Sequence, residues 1–545
     1  MKRRALIFLF VFAMLLPLMI MREFTAANEL RYLNIVDNAL ENGHLFAFYD
    51  HGIPYADKPP LYFWVAMLLK SVAGSHCMFL LSFVLSFLPA FVICWIMDRW
   101  TEEKLKCAIH GCAYNTAATF MLLSSMLFLI GAVFMRMDML MTMFILLSLY
   151  TFAKMYRNKK GAREAKMRER THEAREFKRD RLLLPLFVFL AIFSKGAVGF
   201  LAPVLCIIVF LISDRDFRIW KYLGWRFWTI LILLCAAWWS MVYLDGGKEY
   251  LNNLLFHQTI DRGVNSFHHK KSIAYYLISY WWIAAPWCLL NIVLIIKGFT
   301  HRYLGGNRAK LMVCSFITIF VMLSLVSSKI AIYLLPALPF VVYSAAQMLP
   351  NFEEDRTVKF LIGMVAVIFI ILFVSSIFTS ILVAKFAPSA ALPKLWAPYW
   401  VILIPIAIGG VASLLFLKAK RTPCAISVIS ASLFVTIFLG SLSMKSLNKT
   451  LTPKEGCVTA LNLALEKGYE LASYDLSVAS NMDYYFKNDG LSIKRLEKEE
   501  VFPLKHTILF LREKRAMKDT DIKNFAEGRE KVSTGDGICF VIIDD

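Results

Sequence analysis

Charged residues are scarce in this sequence: Asp, Glu, Lys and Arg make up 18% of its 545 residues, whereas 58% are hydrophobic. A soluble chain of this length carries more charge and folds as several domains. Its 11 cysteines form no C-x-x-C pair and no Cys/His metal spacing, and no glycine-rich nucleotide-binding loop occurs. These absences argue against a soluble enzyme that depends on a nucleotide motif or on a cysteine-bound metal.

Long apolar runs separated by short charged patches indicate instead a polytopic membrane protein, because a helix needs about 20 apolar residues to cross the hydrocarbon. The first run has a basic start and no small-residue cleavage site, which predicts an uncleaved helix with a cytoplasmic N-terminus. The sequence predicts about 13 transmembrane helices, with a margin of about two because several runs are short or nearly fused. The runs lie at 5–21, 77–97, 108–128, 131–153, 182–195, 197–213, 226–244, 276–297, 311–326, 330–349, 359–385, 397–417 and 424–443.

The formal net charge of +20 is typical of a nucleic-acid partner in a soluble protein, but here the basic residues cluster between apolar runs. That distribution favours the positive-inside rule over nucleic-acid binding. Residues 154–181 contain twelve Lys or Arg against five Asp or Glu and fall on the cytoplasmic side. The loops 22–76 and 245–275 and the C-terminal tail then lie outside, which for a bacterial inner membrane is the periplasm.

The composition changes near residue 449, where charged residues become frequent and apolar runs shorten. The sequence therefore predicts a transmembrane domain at 1–448 and a small extracytoplasmic α/β domain at 449–545, with strands in YELASYDL, HTILFLRE and GICFVIIDD. Cys457 and Cys539 flank this region, and an oxidising compartment would allow a disulfide between them.

Ionisable residues collect at the predicted outer face. Burying such a residue at a membrane costs a few kcal/mol, so its presence there suggests a function. Cations there suit a lipid phosphate, and carboxylates suit a general base or a metal ligand. This pattern fits a transferase or a transporter equally well. The residues come from five segments: Glu29, Arg31 and Tyr32; Arg136 and Asp138; Lys195; His257 and Arg262; and Lys329 and Tyr333.

Five segments resemble motifs of membrane glycosyltransferases that take a sugar from a polyprenyl phosphate. The first, NELRYLNIVDNALENGHLFAFYDHGIPYADKPPLYFW, resembles the D-E-x-R-Y and E-K-P-P loop of that superfamily. The other four segments follow in the family's order. They are RMD, FSKGAVGFLAP, NLLFHQTIDRGVNSFHHKKSIAYYLISYWWIAAPW and LVSSKIAIYLLPALP. The chain is most similar to the lipid A aminoarabinose transferases of the GT-C type, which are related to the protein O-mannosyltransferases.

The resemblance implies roles for individual residues. Asn28 aligns with the family's catalytic Asp. Because an amide cannot act as a base, either Glu29 or Asp138 takes that role or the activity is altered. The resemblance places Lys58, Arg262 and Tyr333 at the donor phosphate, and we add Arg31 and Lys329 as cations of the same face. It also implies a divalent metal, Zn or Mg/Mn, at Asp57 and His257.

The function implied is transfer of a sugar from a polyprenyl phosphate to an acceptor on the outer face of the inner membrane. A lipid A-type glycolipid is the favoured acceptor, because a phosphate acceptor needs little base and tolerates Asn28. Three alternatives remain. The protein could be an O-glycosyltransferase that acts on protein or another glycan, a flippase or transporter for the lipid-linked sugar, or a scaffold built on a degenerate transferase. The partners expected are membrane lipid, donor and acceptor, with no nucleic acid and no nucleotide cofactor.

Overall fold

Helices account for most of the structure, a computed structural model that describes residues 2–74, 78–105, 114–161, 167–255, 271–303, 306–386, 399–516 and 518–544. The chain divides into two units. The first contains residues 1–16, 56–73 and 79–438, and the second contains residues 17–55, 74–78 and 439–545. Residues 17–55, which contain the end of the first helix and most of the first loop, therefore cluster with the C-terminal region rather than with the other membrane helices.

Long apolar helices dominate the first unit, as expected where each segment must satisfy its own backbone hydrogen bonds in lipid. Shorter stretches include a π-helix at Phe83–Phe87 and a 3₁₀ helix at Ala331–Ala337. Numbered along the whole chain, the main helices are α1 Lys2–Met21, α2 Glu29–Asn42, α3 Leu61–Ala73, α4 Leu88–Leu105, α5 Tyr114–Ser124, α6 Met126–Val133, α7 Met137–Gly161, α8 Met167–Lys195, α9 Ala197–Ser213, α10 Trp225–Asn252, α11 Tyr275–Ile283, α12 Cys288–Thr300, α13 Asn307–Leu325, α14 Leu338–Ala346, α15 Arg356–Phe386, α16 Ile404–Lys418, α17 Thr422–Ser441, α18 Met444–Leu451 and α19 Lys454–Lys467.

The number of membrane spans agrees with the prediction. Within the described ranges, nine helices are long and apolar enough to cross a membrane, and two bent pairs, α5 with α6 and α11 with α12, raise the number to eleven. The predicted runs 182–195 and 197–213 correspond to the C-terminal half of α8 and to α9. Within the described residues each predicted run is mainly helical, although the run 131–153 crosses the extended residue Phe134, and the predicted polytopic α-helical fold is confirmed.

The two bent pairs bind each other at their breaks. α5 and α6 meet at 72°, and α11 and α12 meet at 108°. The amide N–H of Met126 donates to the carbonyl oxygen of Ala285 over 2.9 Å, and the indole N–H of Trp287 donates to Oγ of Ser124 over 2.8 Å. A break inside lipid frees backbone groups that need partners. The Met126 amide is such a group, and the other bent pair supplies its acceptor at Ala285. The bond from Trp287 to Ser124 adds a side-chain contact between the same breaks.

A buried carboxylate joins helices at the other end of the first unit. Asp98, on α4, accepts hydrogen bonds from the Tyr343 hydroxyl at 2.9 Å and from the Thr119 hydroxyl at 3.1 Å. Nε of Arg4 lies 3.4 Å from its second oxygen. Since an unpaired buried charge is strongly destabilising, this network holds α1, α4, α5 and α14 in one arrangement.

The second unit contains the predicted α/β region, so that part of the fold is also confirmed. Its five-stranded sheet has the order β4-β3-β5-β7-β6, in which β4, β3 and β5 are parallel and β7 runs antiparallel to β5. Asp536 and Gly537 both have positive φ, as a tight hairpin turn between β6 and β7 requires. The strands are β1 Tyr49–Asp50, β2 Ile53–Pro54, β3 Glu470–Tyr474, β4 Lys494–Leu496, β5 Thr507–Arg512, β6 Lys531–Gly535 and β7 Ile538–Ile543.

The predicted disulfide between Cys457 and Cys539 is wrong. Both are free cysteines buried in the second unit. Cys457 lies on α19, whereas Cys539 lies on β7 among the apolar residues that cover the sheet. Each packs as a small hydrophobic side chain, which is the usual behaviour of a buried free cysteine.

Two glycines of the α15–α16 helix pair provide a test of its packing. A Cβ at Gly410 would lie 2.6 Å from the backbone oxygen of Ala366, whereas a Cβ at Gly363 would lie 3.7 Å from the nearest side-chain atom. We expect Gly410→Ala to lower the free energy of unfolding by about 1–3 kcal/mol, because the backbone must shift. Thermal unfolding of the purified protein in detergent measures this. Gly363→Ala is the matched control, and an equal effect of both substitutions would contradict the packing.

Candidate functional site

Three predicted outer-face residues meet at one point of the first unit. Nζ of Lys195 donates a hydrogen bond to Oδ1 of Asp138 and lies 4.4 Å from the centroid of the Tyr333 ring. The Asp138 side chain is buried, and the Lys195 side chain is only 9% exposed. The prediction that these segments converge is therefore seen for Asp138, Lys195 and Tyr333, which stand 57 residues or more apart in sequence.

Helix ends position this cluster. α8 ends at Lys195 because Gly196 follows with φ +85°, a conformation that glycine adopts without strain. The chain then turns into α9, where Gly199 packs so close to Ala191 that a Cβ would lie 2.3 Å from its backbone. The Lys195 side chain is thus carried on a tight hairpin of helices.

Asp138 lies in the first turn of α7, where backbone N–H groups and the helix dipole favour a negative charge. The short segment before it is extended at Phe134, whose carbonyl oxygen accepts a hydrogen bond from Ser86 over 2.6 Å. The carboxylate therefore has two sources of stabilisation, the helix N-terminus and the Lys195 ammonium.

The Lys329 side chain turns back on the backbone. Its ammonium donates to the carbonyl oxygen of Val326 and, over 3.3 Å, to that of Lys271, and the residue is buried. The Tyr276 hydroxyl donates to the carbonyl oxygen of Ile330 over 3.2 Å. These bonds shape the turn that precedes the 3₁₀ helix carrying Tyr333.

Asp57 and Lys58 lie just before α3 and are half-buried. Nζ of Lys58 is 3.2 Å from the backbone oxygen of Asp57. Trp64, on the same helix, packs edge-on against Phe193 with ring centroids 5.1 Å apart. Phe193 stands two residues before Lys195 on α8. This contact therefore ties α3, which follows Lys58, to the helix that carries the Lys195 ammonium.

Asn28, Glu29 and Arg31 belong to the second unit. Asn28 occupies the N-cap position of α2 without a capping hydrogen bond from its side chain. Both oxygens of Glu29 accept hydrogen bonds from Arg22 at 2.8 Å, and one also accepts from the Thr25 amide at 2.9 Å. With both partners buried, Glu29 holds the start of α2 in place, which favours Asp138 as the reactive carboxylate.

Arg31 faces a hairpin of the same loop. Its Nε donates to Asp50 over 2.8 Å, and its guanidinium lies 4.8 Å from the centroid of the Tyr55 ring. His51 and Gly52 form the hairpin turn, both with positive φ, so that strands β1 and β2 pair directly on either side.

Within the second unit, this loop binds the C-terminal region through side chains. His51 bridges Asp50 at 2.8 Å and Asp483 at 3.1 Å, Lys487 donates to Asp37, and the Asn34 amide donates to the backbone oxygen of Asn481 over 3.1 Å. Hydrogen bonds to Asp483 and then Asp50 raise the pKa of His51 to about 9 although burial opposes this. His51 is therefore a cation at neutral pH.

Only one of the two predicted metal ligands, Asp57, lies within the described residues. Arg262 and His257 lie outside those ranges, and Asp57 belongs to no group of three His, Cys, Asp or Glu side chains in the part of the chain that the structure describes. A single carboxylate does not hold Zn or Mg/Mn. The metal remains a prediction that depends on His257.

The sequence placed Lys195 among the cations of the outer face but gave it no specific site role, although its ammonium is central to the cluster. The available signal was Gly196 directly after a lysine at the end of an apolar run, a pattern typical of a helix end. The partners Arg22, Asp483 and Lys487 were also missed, because only the fold brings them to the first loop.

No family model and no curated protein matches this sequence. Among solved structures, the chain is similar to ArnT from Cupriavidus metallidurans bound to undecaprenyl phosphate, with a TM-score of 0.72 at 16% identity over 99% of this chain and 97% of that one. The apo state of the same protein gives a TM-score of 0.71 at 16% identity over 99% and 98%. At this identity the likeness establishes the fold, and it confirms the fold implied by the resemblance to the aminoarabinose transferases.

The Arg22–Glu29 pair gives a stability prediction. Glu29→Gln removes the carboxylate charge that faces the buried Arg22 guanidinium, so we expect the free energy of unfolding to fall by about 3 kcal/mol. Thermal unfolding measures the loss. The double variant Arg22→Met/Glu29→Leu removes both charges and should recover much of it, whereas wild-type stability of Glu29→Gln would contradict the structural role.

The hairpin should loosen at alkaline pH. Because the folded pKa of His51, about 9, lies above its ordinary value of 6.5, its stabilisation is complete below pH 6.5 and is lost as the pH rises through about 9. Hydrogen exchange of the hairpin amides, corrected for the intrinsic rate, should therefore accelerate in that window. His51→Gln should abolish the pH dependence and the control His44→Gln should keep it; identical profiles would refute the assignment.

Proposed function

We propose that this multi-pass membrane protein, which has the fold of ArnT, is a glycosyltransferase that uses a polyprenyl phosphate-linked sugar. The observation that carries the proposal is the cluster of Asp138, Lys195 and Tyr333 at the ends of apolar helices. A structural neighbour with this fold is described as bound to undecaprenyl phosphate, and an ammonium paired with a carboxylate can accept a lipid phosphate as a new partner.

The donor phosphate would be held by cations and a hydroxyl. Lys58, Arg262 and Tyr333 bind it in this proposal, and Lys195 adds an ammonium that Asp138 orients and the Tyr333 ring flanks. Their charge stabilises the phosphate as it departs, which is electrostatic stabilisation of a leaving group. Lys329 and Arg31 act more remotely, since Lys329 binds backbone carbonyl oxygens and Arg31 binds Asp50.

The reaction is a single displacement at the anomeric carbon. The bond from that carbon to the phosphate oxygen breaks, the polyprenyl phosphate leaves with the electron pair, and a bond to the acceptor oxygen forms with inversion. A hydroxyl acceptor gives its proton to Asp138 as general base. A phosphate acceptor, as on a lipid A-type glycolipid, is already ionised and needs no base, which accommodates Asn28 in place of an acid.

The charge distribution supports the proposed orientation. The N-terminus and the basic segment 154–181 lie in the cytoplasm, and the second unit lies in the periplasm of a bacterial inner membrane. A divalent metal at Asp57 and His257 would neutralise phosphate charge. Within this proposal the donor is the lipid-linked sugar, the acceptor is a glycolipid, and no nucleotide takes part.

Substitutions of the proposed site residues should sharply reduce transfer. We expect Lys58→Ala and Asp138→Asn each to reduce product by roughly a hundredfold, because each removes a charge at the reacting groups. The measurement is mass spectrometry of lipid A and of polyprenyl phosphate pools from cells that carry each variant or lack the gene. Lys70→Ala, in the last turn of α3, is the matched control and should behave as wild type.

The outcomes separate the alternatives. Lipid A that loses a sugar-sized mass, together with accumulation of the lipid-linked sugar, supports the proposal. Accumulation with unchanged lipid A keeps a transferase but moves the acceptor to protein or another glycan. Lipid-linked sugar that changes membrane side without any new glycosidic bond indicates a transporter, and full activity of both variants would refute the site.

A further inference from the structure

The connection between α9 and α10, together with the first two residues of α10, forms residues 214–226, here named the α9–α10 segment. It lies at the far end of α9 from the candidate site, because α9 begins two residues after Lys195 and ends at Ser213. α9 is an apolar helix, and α10 is long and apolar enough to cross a membrane. Since an apolar helix enters the segment and another leaves it, the segment is held at the boundary between hydrocarbon and water.

One side of the α9–α10 segment is fixed to the helices of the first unit. Asp214 accepts a hydrogen bond from the Tyr156 hydroxyl and lies 3.2 Å from Nζ of Lys310. Tyr222 is buried, and its ring packs edge-on against Phe152 with ring centroids 5.2 Å apart. These contacts determine which side chains of the segment face outward.

The outward side of the α9–α10 segment consists entirely of aromatic and arginine side chains. Phe217 is 75% exposed, Trp220 is 74% exposed and Trp225 is 68% exposed. Large apolar side chains that are exposed together and surrounded by polar groups mark an interaction surface. The six exposed residues of the segment are Arg215, Phe217, Arg218, Trp220, Trp225 and Arg226.

The arginines stand beside the rings and give the segment a positive charge. The Arg226 guanidinium lies 5.4 Å from the centroid of the Trp225 ring. Nε of Arg218 lies 2.8 Å from Oδ1 of Asp216, and the Arg218 side chain is still 66% exposed. The segment contains four Lys or Arg against two Asp, so its net charge is positive even when every carboxylate is counted.

This combination of side chains suits the headgroup region of a bilayer. Water alone does not favour it, because Phe and Trp are mostly buried in soluble proteins, and the hydrocarbon does not favour it, because a guanidinium group is costly there. At the headgroup level, aromatic rings are favoured and a guanidinium group binds phosphate through two hydrogen bonds. A net positive segment is complementary to anionic lipids in particular.

We propose that the outward side of the α9–α10 segment binds the anionic phospholipid headgroups of the leaflet that it borders. The arginines bind lipid phosphates, and the rings of Phe217, Trp220 and Trp225 lie at the level of the glycerol and the upper acyl chains. In the proposed orientation this is the cytoplasmic leaflet. The proposal does not depend on the glycosyltransferase function.

Photocrosslinking in proteoliposomes tests this proposal. In the full-length protein, p-benzoylphenylalanine takes the place of Phe217, whose exposure leaves room for the larger side chain. The vesicles contain dioleoyl-phosphatidylcholine with a minor share of dioleoyl-phosphatidylglycerol, and mass spectrometry identifies the lipid adducts after irradiation. We expect phosphatidylglycerol in the adducts at about fivefold above its share of the vesicle lipid, a factor that one basic residue contributes at an anionic surface.

Further variants locate the source of this selectivity. Arg215→Gln/Arg226→Gln, added to the crosslinking variant, should bring the enrichment below about twofold. Arg356→Gln makes the same change at an exposed position at the start of α15 and should leave it unchanged. The photoreactive residue in place of Ile371, which is exposed within the apolar span of α15, should label both lipids in proportion to their shares.

The other outcomes would overturn the proposal. Adducts without lipid at position 217, or crosslinks between two copies of the chain, would assign this side of the segment to water or to a protein interface. Labelling in proportion to the lipid shares would remove the preference for anionic lipid. An enrichment that survives Arg215→Gln/Arg226→Gln, or that appears equally at position 371, would show that the arginines do not select the lipid.

Discussion

Hydrocarbon offers no hydrogen-bond partner to a peptide group, and most features of the first unit follow from this constraint. Most of its backbone groups are satisfied within helices. At the break between α5 and α6 the protein supplies a partner, because the Met126 amide donates to the carbonyl oxygen of Ala285, and the side-chain bond from Trp287 to Ser124 adds to this contact. The carboxylate of Asp138 inside this unit is paired with Lys195.

Charge inside the first unit is compensated by pairing. Lys195 and Asp138 neutralise each other beside Tyr333, which is the condition under which an ion pair can be placed inside a bundle. In the proposed function, the donor phosphate exchanges places with this carboxylate as partner of the ammonium. Asp180 and Asp214 are likewise paired with Lys154 and Lys310.

In the second unit, water is available and ordinary soluble chemistry applies. The first loop is organised by a hairpin, by the Arg22–Glu29 pair and by contacts of His51 with Asp483. An acidic residue inside a recognisable motif is therefore a structural anchor here. Asn28, beside Glu29, makes no capping hydrogen bond with its side chain. It is a neutral amide at the position where the aminoarabinose transferases that the sequence resembles have an acid. The neighbouring Glu29 carboxylate already accepts hydrogen bonds from Arg22 and Thr25.

The sequence by itself determined the helical class, the position of the apolar runs and three of the five strands of the C-terminal sheet, because hydrophobic length and alternation are local properties. It did not indicate β4 Lys494–Leu496 and β6 Lys531–Gly535. The sequence also indicated which segments supply cations and carboxylates to one face. Only the tertiary structure decided which of them meet. Pairing of Lys195 with Asp138, and of Glu29 with Arg22, depends on how helix ends approach in space. The absent Cys457–Cys539 bond was decided in the same way, because spacing along the chain does not specify distance across a fold.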